Sequence, residues 1–203
     1  MRVEHYALPA QVWGAGLVFA RVGALAMTLP GIGETSVPTP IRLAFAFLLS
    51  LMLYPVVAAG LPGVPADLGG VAGQVILQSL IGLGLGTLVR LFLSSLAVAG
   101  EIVSLQTTLS FAQTTNPLGA QPTASLTTFL SLLGLTLVFA TDLHGLFIAA
   151  IARSFDLFPV AAAPPTAGLA ALAIRTVGET FALGVQLSAP VLVFSLFSTW
   201  RRG

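Results

Sequence analysis

The chain has 203 residues, of which 7% are Asp, Glu, Arg or Lys, whereas soluble domains carry about 25%. Hydrophobic residues make up 56% and the mean hydropathy is +0.99, so the chain has more apolar surface than one core of this size can bury. This composition excludes a soluble enzyme, a disordered tail and a nucleic-acid binder, and the absence of cysteine excludes a disulfide framework.

Apolar runs that approach the length needed to cross a membrane, about 20 residues, alternate with Pro/Gly-rich connections. The predicted helices, in chain order, cover 13–29, 43–61, 71–89, 126–139, 167–182 and 183–200. The third continues through 91–105 if it does not stop at Arg90, and 143–151 is either a half-helix or a continuation of the helix before it. The segment 159–165, with three alanines between prolines, is predicted to be a hinge. We therefore expect an all-α, membrane-embedded protein with about five to six hydrophobic helices, arranged as hairpins with a re-entrant or pore loop.

A cleaved signal peptide is an alternative for the first run, because Ala24-Leu25-Ala26 is similar to a cleavage site after an apolar stretch. Arg21 lies between that stretch and the site, and Glu4 accompanies Arg2 before it. Both features disfavour a signal peptide.

Three charged residues, Arg21, Arg90 and Glu101, lie in or beside apolar runs. A charge at bilayer depth costs about 2.5–3.5 kcal/mol on insertion scales, so these side chains are expected to contact protein or water, or to reach an interface. On one continuous helix, Arg90 and Glu101 would share a face but lie about 16 Å apart, so each needs a partner elsewhere.

Small and polar residues also recur at steps of four, and we call this set the small-polar stripe: Gln74, Gln78, Gly82, Gly86 and Arg90. Helices in lipid associate through such faces, because small residues let backbones approach and buried amides form hydrogen bonds across the contact. The stripe therefore predicts a helix-packing or assembly surface.

The segment 106–122 carries no charge and lies between apolar runs. Its backbone and amide groups need partners, and at membrane depth they find them only inside protein or beside water. Two interpretations follow, a re-entrant or pore-facing loop and a solvated loop outside the membrane.

Asp142 and His144 are candidates for a metal pair or a proton relay, although a helix-end turn capped by Asp142 is favoured. No Ser/His/Asp grouping, phosphate-binding loop or carboxylate pair at catalytic spacing occurs in the sequence. We therefore expect no enzymatic activity, no metal and no cofactor.

Two pairs of opposite charges have helical spacing: Arg153 with Asp156, and Arg175 with Glu179. Spacings of three and four residues place side chains next to each other on a helix surface. Both pairs are predicted to form ion pairs on a helix surface near an interface, worth only a few tenths of a kcal/mol if exposed.

Polar residues recur in a fixed order within the apolar background of the chain. They are Ala99-Gly100-Glu101-Ile102, Leu105-Gln106, Ser110-Phe111-Ala112, Asn116-Pro117, Gly119-Ala120-Gln121, Asp142-Leu143-His144-Gly145, Ser154-Phe155 and Phe158-Pro159, preceded by Arg21 and Pro40-Ile41-Arg42. In these residues, and over nearly its whole length, the chain resembles the FliR family of flagellar biosynthetic proteins, which are type III secretion export-gate subunits.

The resemblance implies a non-enzymatic part of a protein-export channel in the bacterial inner membrane, at the flagellar basal body. The implied partners are FliP-like and FliQ-like subunits, FlhB-like and FlhA-like export proteins, membrane lipid and unfolded flagellar proteins as cargo, with no nucleic acid. It further implies a FliP-like portion in 1–158, a hinge in 159–165, and a FliQ-like hairpin in 166–203 that lacks its second arm.

Functional residues follow from the resemblance and from the patterns above. The resemblance implies a pore plug in the loop, formed by Gln106, Leu109, Phe111, Asn116, Pro117, Leu118 and Gln121. Residues expected in helix packing or assembly are Arg21, Gln74, Gln78, Gly82, Gly86, Arg90, Glu101, Asp142 and His144.

The chain departs from the family pattern in three places. Thr108 stands where the family usually has Gly, and Asn116 stands where it commonly has Asp before Pro. Relatives continue beyond the apolar run at the end of this chain, so a shortened C-terminus is expected.

Two alternative functions remain open at this stage. A proton-coupled secondary transporter would use Glu101, Asp142 and His144 as a relay across an internal repeat, and no such repeat is evident. The equivalent subunit of a virulence injectisome would differ only in its cargo.

Overall fold

The computed structural model describes residues 9–34, 36–107, 125–160 and 166–200. These residues form helices and connecting turns, with no strand among them, so the predicted all-α fold is confirmed. The helices are α1 (Pro9–Thr28), α2 (Thr39–Val57), which a 3₁₀ turn (Ala58–Gly60) follows, α3 (Leu68–Gln106), α4 (Ser125–Ala140), α5 (Leu143–Leu157) and α6 (Thr166–Trp200).

Four stretches among the described residues are long and apolar enough to cross a membrane. They are Pro9–Thr28, Thr39–Gly60, Leu68–Gln106 and Ala170–Phe197. The shorter helices α4 and α5 form a bent pair, which would count as a fifth span if the pair crosses as one. By length and composition, the protein is a helical membrane protein, as predicted.

The structure decides one open alternative, and it shows one helix that is longer than predicted. Helix α3 does not stop at Arg90 and runs for 39 residues. Helix α6 is continuous over 35 residues and includes Pro190, so the prediction of separate helices at 167–182 and 183–200 is wrong. A proline removes one hydrogen bond from a helix, but in apolar surroundings a break would leave several backbone groups unpaired.

The chain breaks between α4 and α5 at Asp142, which has a left-handed backbone with φ 57°. Residues 143–157 therefore form a helix of their own. Asp142 occupies the position before α5, as predicted, but its carboxylate makes no capping hydrogen bond. Capping side chains usually extend from a β-region backbone, and here the Asp142 carbonyl instead accepts a hydrogen bond of 3.0 Å from the Gly145 amide.

The helices belong to two compact units. One contains α1, α2, α5 and α3 as far as Val89, and the other contains α3 from Arg90, α4, and α6 from Ala170. The first unit has a core of buried apolar side chains from α1, α2, α5 and the segment after α5: Leu17, Val18, Val22, Leu25, Leu49, Leu53, Ile151, Phe155 and Val160. Division at a hinge in 159–165 stays a prediction, and residues 161–165 lie outside the described part of the chain.

Candidate functional site

Arg21 lies in the middle of α1 and is completely buried, at 0% exposure. Its Nε donates a hydrogen bond of 2.7 Å to Oε1 of Gln78 on α3. Nη1 donates to the carbonyl oxygen of Ser154 at 2.8 Å and to the Ser154 hydroxyl at 3.4 Å, and Nη2 donates to the carbonyl oxygen of Phe158 at 2.7 Å. We call Arg21 and these acceptors, together with Phe155, the Arg21 cluster.

The charge of the guanidinium is stabilised by dipoles and not by a counter-ion, because each of these hydrogen-bond acceptors is an uncharged oxygen. Ser154 lies in the last turn of α5 and Phe158 directly follows the helix. The Ser154 carbonyl also accepts a hydrogen bond of 2.9 Å from the Phe158 amide. Carbonyls at a helix C-terminus carry the negative end of the helix dipole, which favours a cation. The centroid of the Phe155 ring lies 4.0 Å from Cζ of Arg21 and adds a cation–π contact. One side chain therefore joins α1, α3 and α5.

Gln78 is fully buried and uses only one end of its amide for Arg21. Its Nε2 has no hydrogen-bond partner among the described residues, and neither has the buried Oε1 of Gln74, one turn earlier. Both residues belong to the small-polar stripe, and the structure places Gln78 against α1.

The glycines of the stripe also lie against α1. A Cβ at Gly82 would overlap the carbonyl oxygen of Arg21, and a Cβ at Gly86 would overlap the hydroxyl of Thr28. Only glycine permits this backbone approach. Arg90, the last member of the stripe, is exposed.

Glu101 belongs to the second unit and is exposed near the end of α3. One of its carboxylate oxygens accepts a hydrogen bond of 2.9 Å from the hydroxyl of Thr127 on α4. Helices α3 and α4 approach closely there, since a Cβ at Gly100 would lie 2.6 Å from the Cα of Thr127. Glu101 therefore contacts a polar group of the protein.

Asp142 and His144 are both exposed, with 3.9 Å between Oδ1 and Nε2. Within the described residues no group of three or more His, Cys, Asp or Glu side chains could hold a metal ion. The two residues mark the turn before α5.

One predicted ion pair is present and the other is wrong. Nε of Arg175 lies 2.7 Å from Oε1 of Glu179 on the exposed surface of α6. Arg153 and Asp156 form no ion pair with each other, and both residues line a cavity at the end of α5. Helical spacing makes such a pair possible, but at an exposed site its small stabilisation does not enforce it.

Residues predicted for the pore plug are largely outside the described part of the chain. Gln106 is exposed at the end of α3. The remaining predicted plug residues, which the structure leaves undescribed, are Leu109, Phe111, Asn116, Pro117, Leu118 and Gln121.

Sequence reasoning assigned no partner to Arg21 and gave no role to Thr127. Ser154 and Phe158 contributed to the family resemblance, but as acceptors for Arg21 they were missed. The sequence contained one usable signal, because a buried guanidinium needs several acceptors and Pro159 marks the end of a helix, where the carbonyls carry the negative end of the helix dipole.

The fold and this buried cluster define a helical membrane protein in which one buried arginine joins three of the helices. The family model described as "Bacterial export proteins, family 1" matches residues 12–200. The chain therefore belongs to this family of bacterial export proteins.

Curated relatives agree with this assignment. The chain is 56% identical over 194 residues to the flagellar biosynthetic protein FliR of Caulobacter vibrioides. The aligned region covers 96% of this chain and 77% of that protein. It is 27% identical over 187 residues to FliR of Bacillus subtilis, covering 89% of this chain and 70% of that protein. For FliR of Escherichia coli K12 the identity is 29% over 177 residues, and the aligned region covers 87% of this chain and 67% of that protein. The resemblance to the FliR family is thereby confirmed.

Proposed function

We propose that the chain is a subunit of the flagellar type III protein-export gate in the bacterial inner membrane, at the basal body. It assembles there with FliP-like and FliQ-like subunits into a channel for unfolded flagellar proteins, next to FlhB-like and FlhA-like export proteins. Membership of the export family carries this proposal, since the curated relatives reported above are named flagellar proteins.

Exposed apolar surface supports an assembled, membrane-embedded state. On α2, Leu48 is 64% exposed and Met52 is 72% exposed, with further apolar side chains beside them. Helix α6 likewise exposes Phe194 at 75% and Trp200 at 83%. Contiguous apolar surface of this kind requires lipid or neighbouring subunits to cover it.

The test of assembly is co-purification of the tagged full chain with FliP-like and FliQ-like subunits expressed with it. A stable complex of the three is the expected result. The Arg175→Gln variant is the control, because it removes a charge from the exposed surface of α6 and leaves the Arg21 cluster unchanged. It should form the same complex. Failure to recover any complex, with the chain still folded and in the membrane, would contradict the proposed function.

Within this gate we propose that 106–122 forms the pore plug. An uncharged segment rich in Thr and Gln, with Leu109, Phe111 and Leu118, can seal against small ions and yield to an unfolded chain without breaking salt bridges. The segment begins at the exposed end of α3, where Gln106 stands.

Plug function is tested by replacing 106–122 with a Gly/Ser segment of equal length, so that α3 and α4 stay joined. The assembled channel should then conduct ions in planar bilayers. Replacing 61–66, another connection between helices, serves as the control and should leave the channel closed. Unchanged conductance after replacement of 106–122 would reject the plug.

Amide substitutions distinguish this function from proton-coupled transport. A transporter that relays protons through Glu101 and Asp142 should lose coupling in the Glu101→Gln and Asp142→Asn variants. If the chain is an export-gate subunit, the same variants should either fail to assemble with their partners or behave as the unchanged chain does. Proton flux into liposomes containing the purified chain measures the difference.

A further inference from the structure

A cavity of about 300 Å³ lies within the first unit, between the end of α2 and the last turns of α5. Its lining includes Val57 from the end of α2, Gly60 from the 3₁₀ turn that follows, and Arg153, Phe155 and Asp156 from α5. A volume of this size is at the lower end of the range for small-molecule sites. Phe155 belongs to both this cavity and the Arg21 cluster, whereas no residue of the small-polar stripe lines the cavity.

The cavity presents one positive and one negative side chain that do not neutralise each other. Arg153 and Asp156 are three residues apart on α5 and form no ion pair with a described residue. Each therefore keeps its full capacity for a charged ligand. Since neighbours at this spacing lie about 5–6 Å apart at Cβ, a ligand with two opposite charges a few bonds apart could contact both.

The C-terminal ends of helical elements lie at the same cavity. Val57 ends α2 and Gly60 ends the 3₁₀ turn that follows it, and α5 ends at Leu157, next to Asp156. The C-terminal end of a helix carries a partial negative charge that attracts donors and cations. The cavity thus combines Arg153 and Asp156 with the C-terminal ends of these elements.

The position of the cavity along the chain indicates the source of such a ligand. The candidate membrane span Thr39–Gly60 ends at the cavity. The end of a span lies at the level of the lipid headgroups, just outside the hydrocarbon region. Phospholipid headgroups are therefore the charged molecules present there at high local concentration.

We propose that this cavity binds the zwitterionic headgroup of a phospholipid with a primary ammonium group. Arg153 binds the phosphate through the paired N–H groups of its guanidinium. Asp156 accepts hydrogen bonds from the ammonium, and the negative ends of the helix dipoles also attract this cation. A trimethylammonium group has no N–H to donate, so a choline lipid binds less tightly, and an anionic glycerol headgroup has no cation for Asp156.

The proposal is tested by native mass spectrometry of the full chain, released from mixed micelles with equal amounts of phosphatidylethanolamine, phosphatidylcholine and phosphatidylglycerol. Phosphatidylethanolamine should be retained in preference to the other two. Arg153→Gln and Asp156→Asn should each lower its retention about tenfold, the effect of one charge-assisted hydrogen bond. Arg153→Lys and Asp156→Glu, which keep the charges, should retain most of the binding.

Arg175→Gln and Glu179→Gln provide the matched controls, because they remove charges at helical spacing from the exposed surface of α6. These variants should bind lipid as the unchanged chain does. Equal retention of the ethanolamine and choline lipids, or preference for the anionic lipid, would overturn the proposal. So would unchanged retention in both Arg153→Gln and Asp156→Asn, or a photoreactive side chain at Val57 that crosslinks to protein and not to lipid in the membrane.

Discussion

Nε of Arg21 donates a hydrogen bond of 2.7 Å to Oε1 of Gln78, which lies 57 positions further along the chain. Both side chains are fully buried, so water cannot replace either partner. Replacing Gln78 with Leu is expected to lower the free energy of unfolding by about 2 kcal/mol, because a charged donor loses its acceptor. Denaturant unfolding in detergent micelles measures this change.

Gln186 supplies the control for that experiment, since it is an exposed glutamine on α6. Its replacement with Leu should change the stability by less than about 0.5 kcal/mol. Equal stability of the Gln78→Leu variant and the unchanged chain would show that the buried hydrogen bond contributes nothing.

The geometry of Arg21 predicts that lysine cannot replace it. An ammonium keeps the charge but not the planar fork that reaches Gln78, Ser154 and Phe158. Arg21→Lys should cost about 2–3 kcal/mol of unfolding free energy, whereas Arg175→Lys on the exposed face of α6 should be nearly neutral. Thermal unfolding of both purified variants tests the contrast, and similar midpoints would contradict it.

Two glycines on α3 should respond oppositely to alanine. A Cβ at Gly82 would overlap the Arg21 carbonyl, but a Cβ at Gly84 would meet nothing within 4 Å. Gly82→Ala is expected to destabilise by about 1–3 kcal/mol through overpacking, and Gly84→Ala to stabilise by up to about 1 kcal/mol through helix propensity. Unfolding curves of the two variants measure both changes. A Gly82→Ala variant as stable as the unchanged chain would disprove the close packing.

The hydrogen bond between Thr127 and Glu101 predicts a small, specific effect in the second unit. Thr127→Val keeps the shape of the side chain and removes the donor, so we expect a loss of about 1 kcal/mol. Thr128→Val, at the exposed neighbouring position, is the matched control. Unfolding free energies of the two variants should differ by that amount, and identical values would count against the contact.

The left-handed backbone of Asp142 determines which residues fit the turn before α5. A β-branched residue is disfavoured there, so Asp142→Val should destabilise by about 1–2 kcal/mol. Asp142→Gly should preserve stability, because glycine adopts this conformation without strain. Melting temperatures in detergent test both, and a harmless valine would refute the assigned backbone conformation.

Much of the fold was predictable because helix formation depends on neighbouring residues. Apolar runs separated by proline and glycine located α1, α2, α3 and α4. The continuity of α6 through Pro190 was missed, since proline is a local signal for a break whereas the cost of unpaired backbone depends on the apolar surroundings.

The candidate site was predictable only as a set of residue types. The sequence singled out Arg21 and Gln78 separately, as a charge in an apolar run and as part of a stripe. That they bind each other, and that Ser154 supplies further acceptors 133 positions from Arg21, depends on packing between distant segments.

The sequence by itself determined that the protein is helical and apolar enough for a membrane, because composition and short-range periodicity require no knowledge of distant contacts. Only the tertiary structure decided which charged side chains have partners inside the protein. Arg21 is buried and forms hydrogen bonds that join three helices, whereas Arg153 and Asp156 have the spacing of an ion pair but form none and line a cavity. The physical reason is that burial and partner geometry follow from how helices meet, which no local pattern encodes.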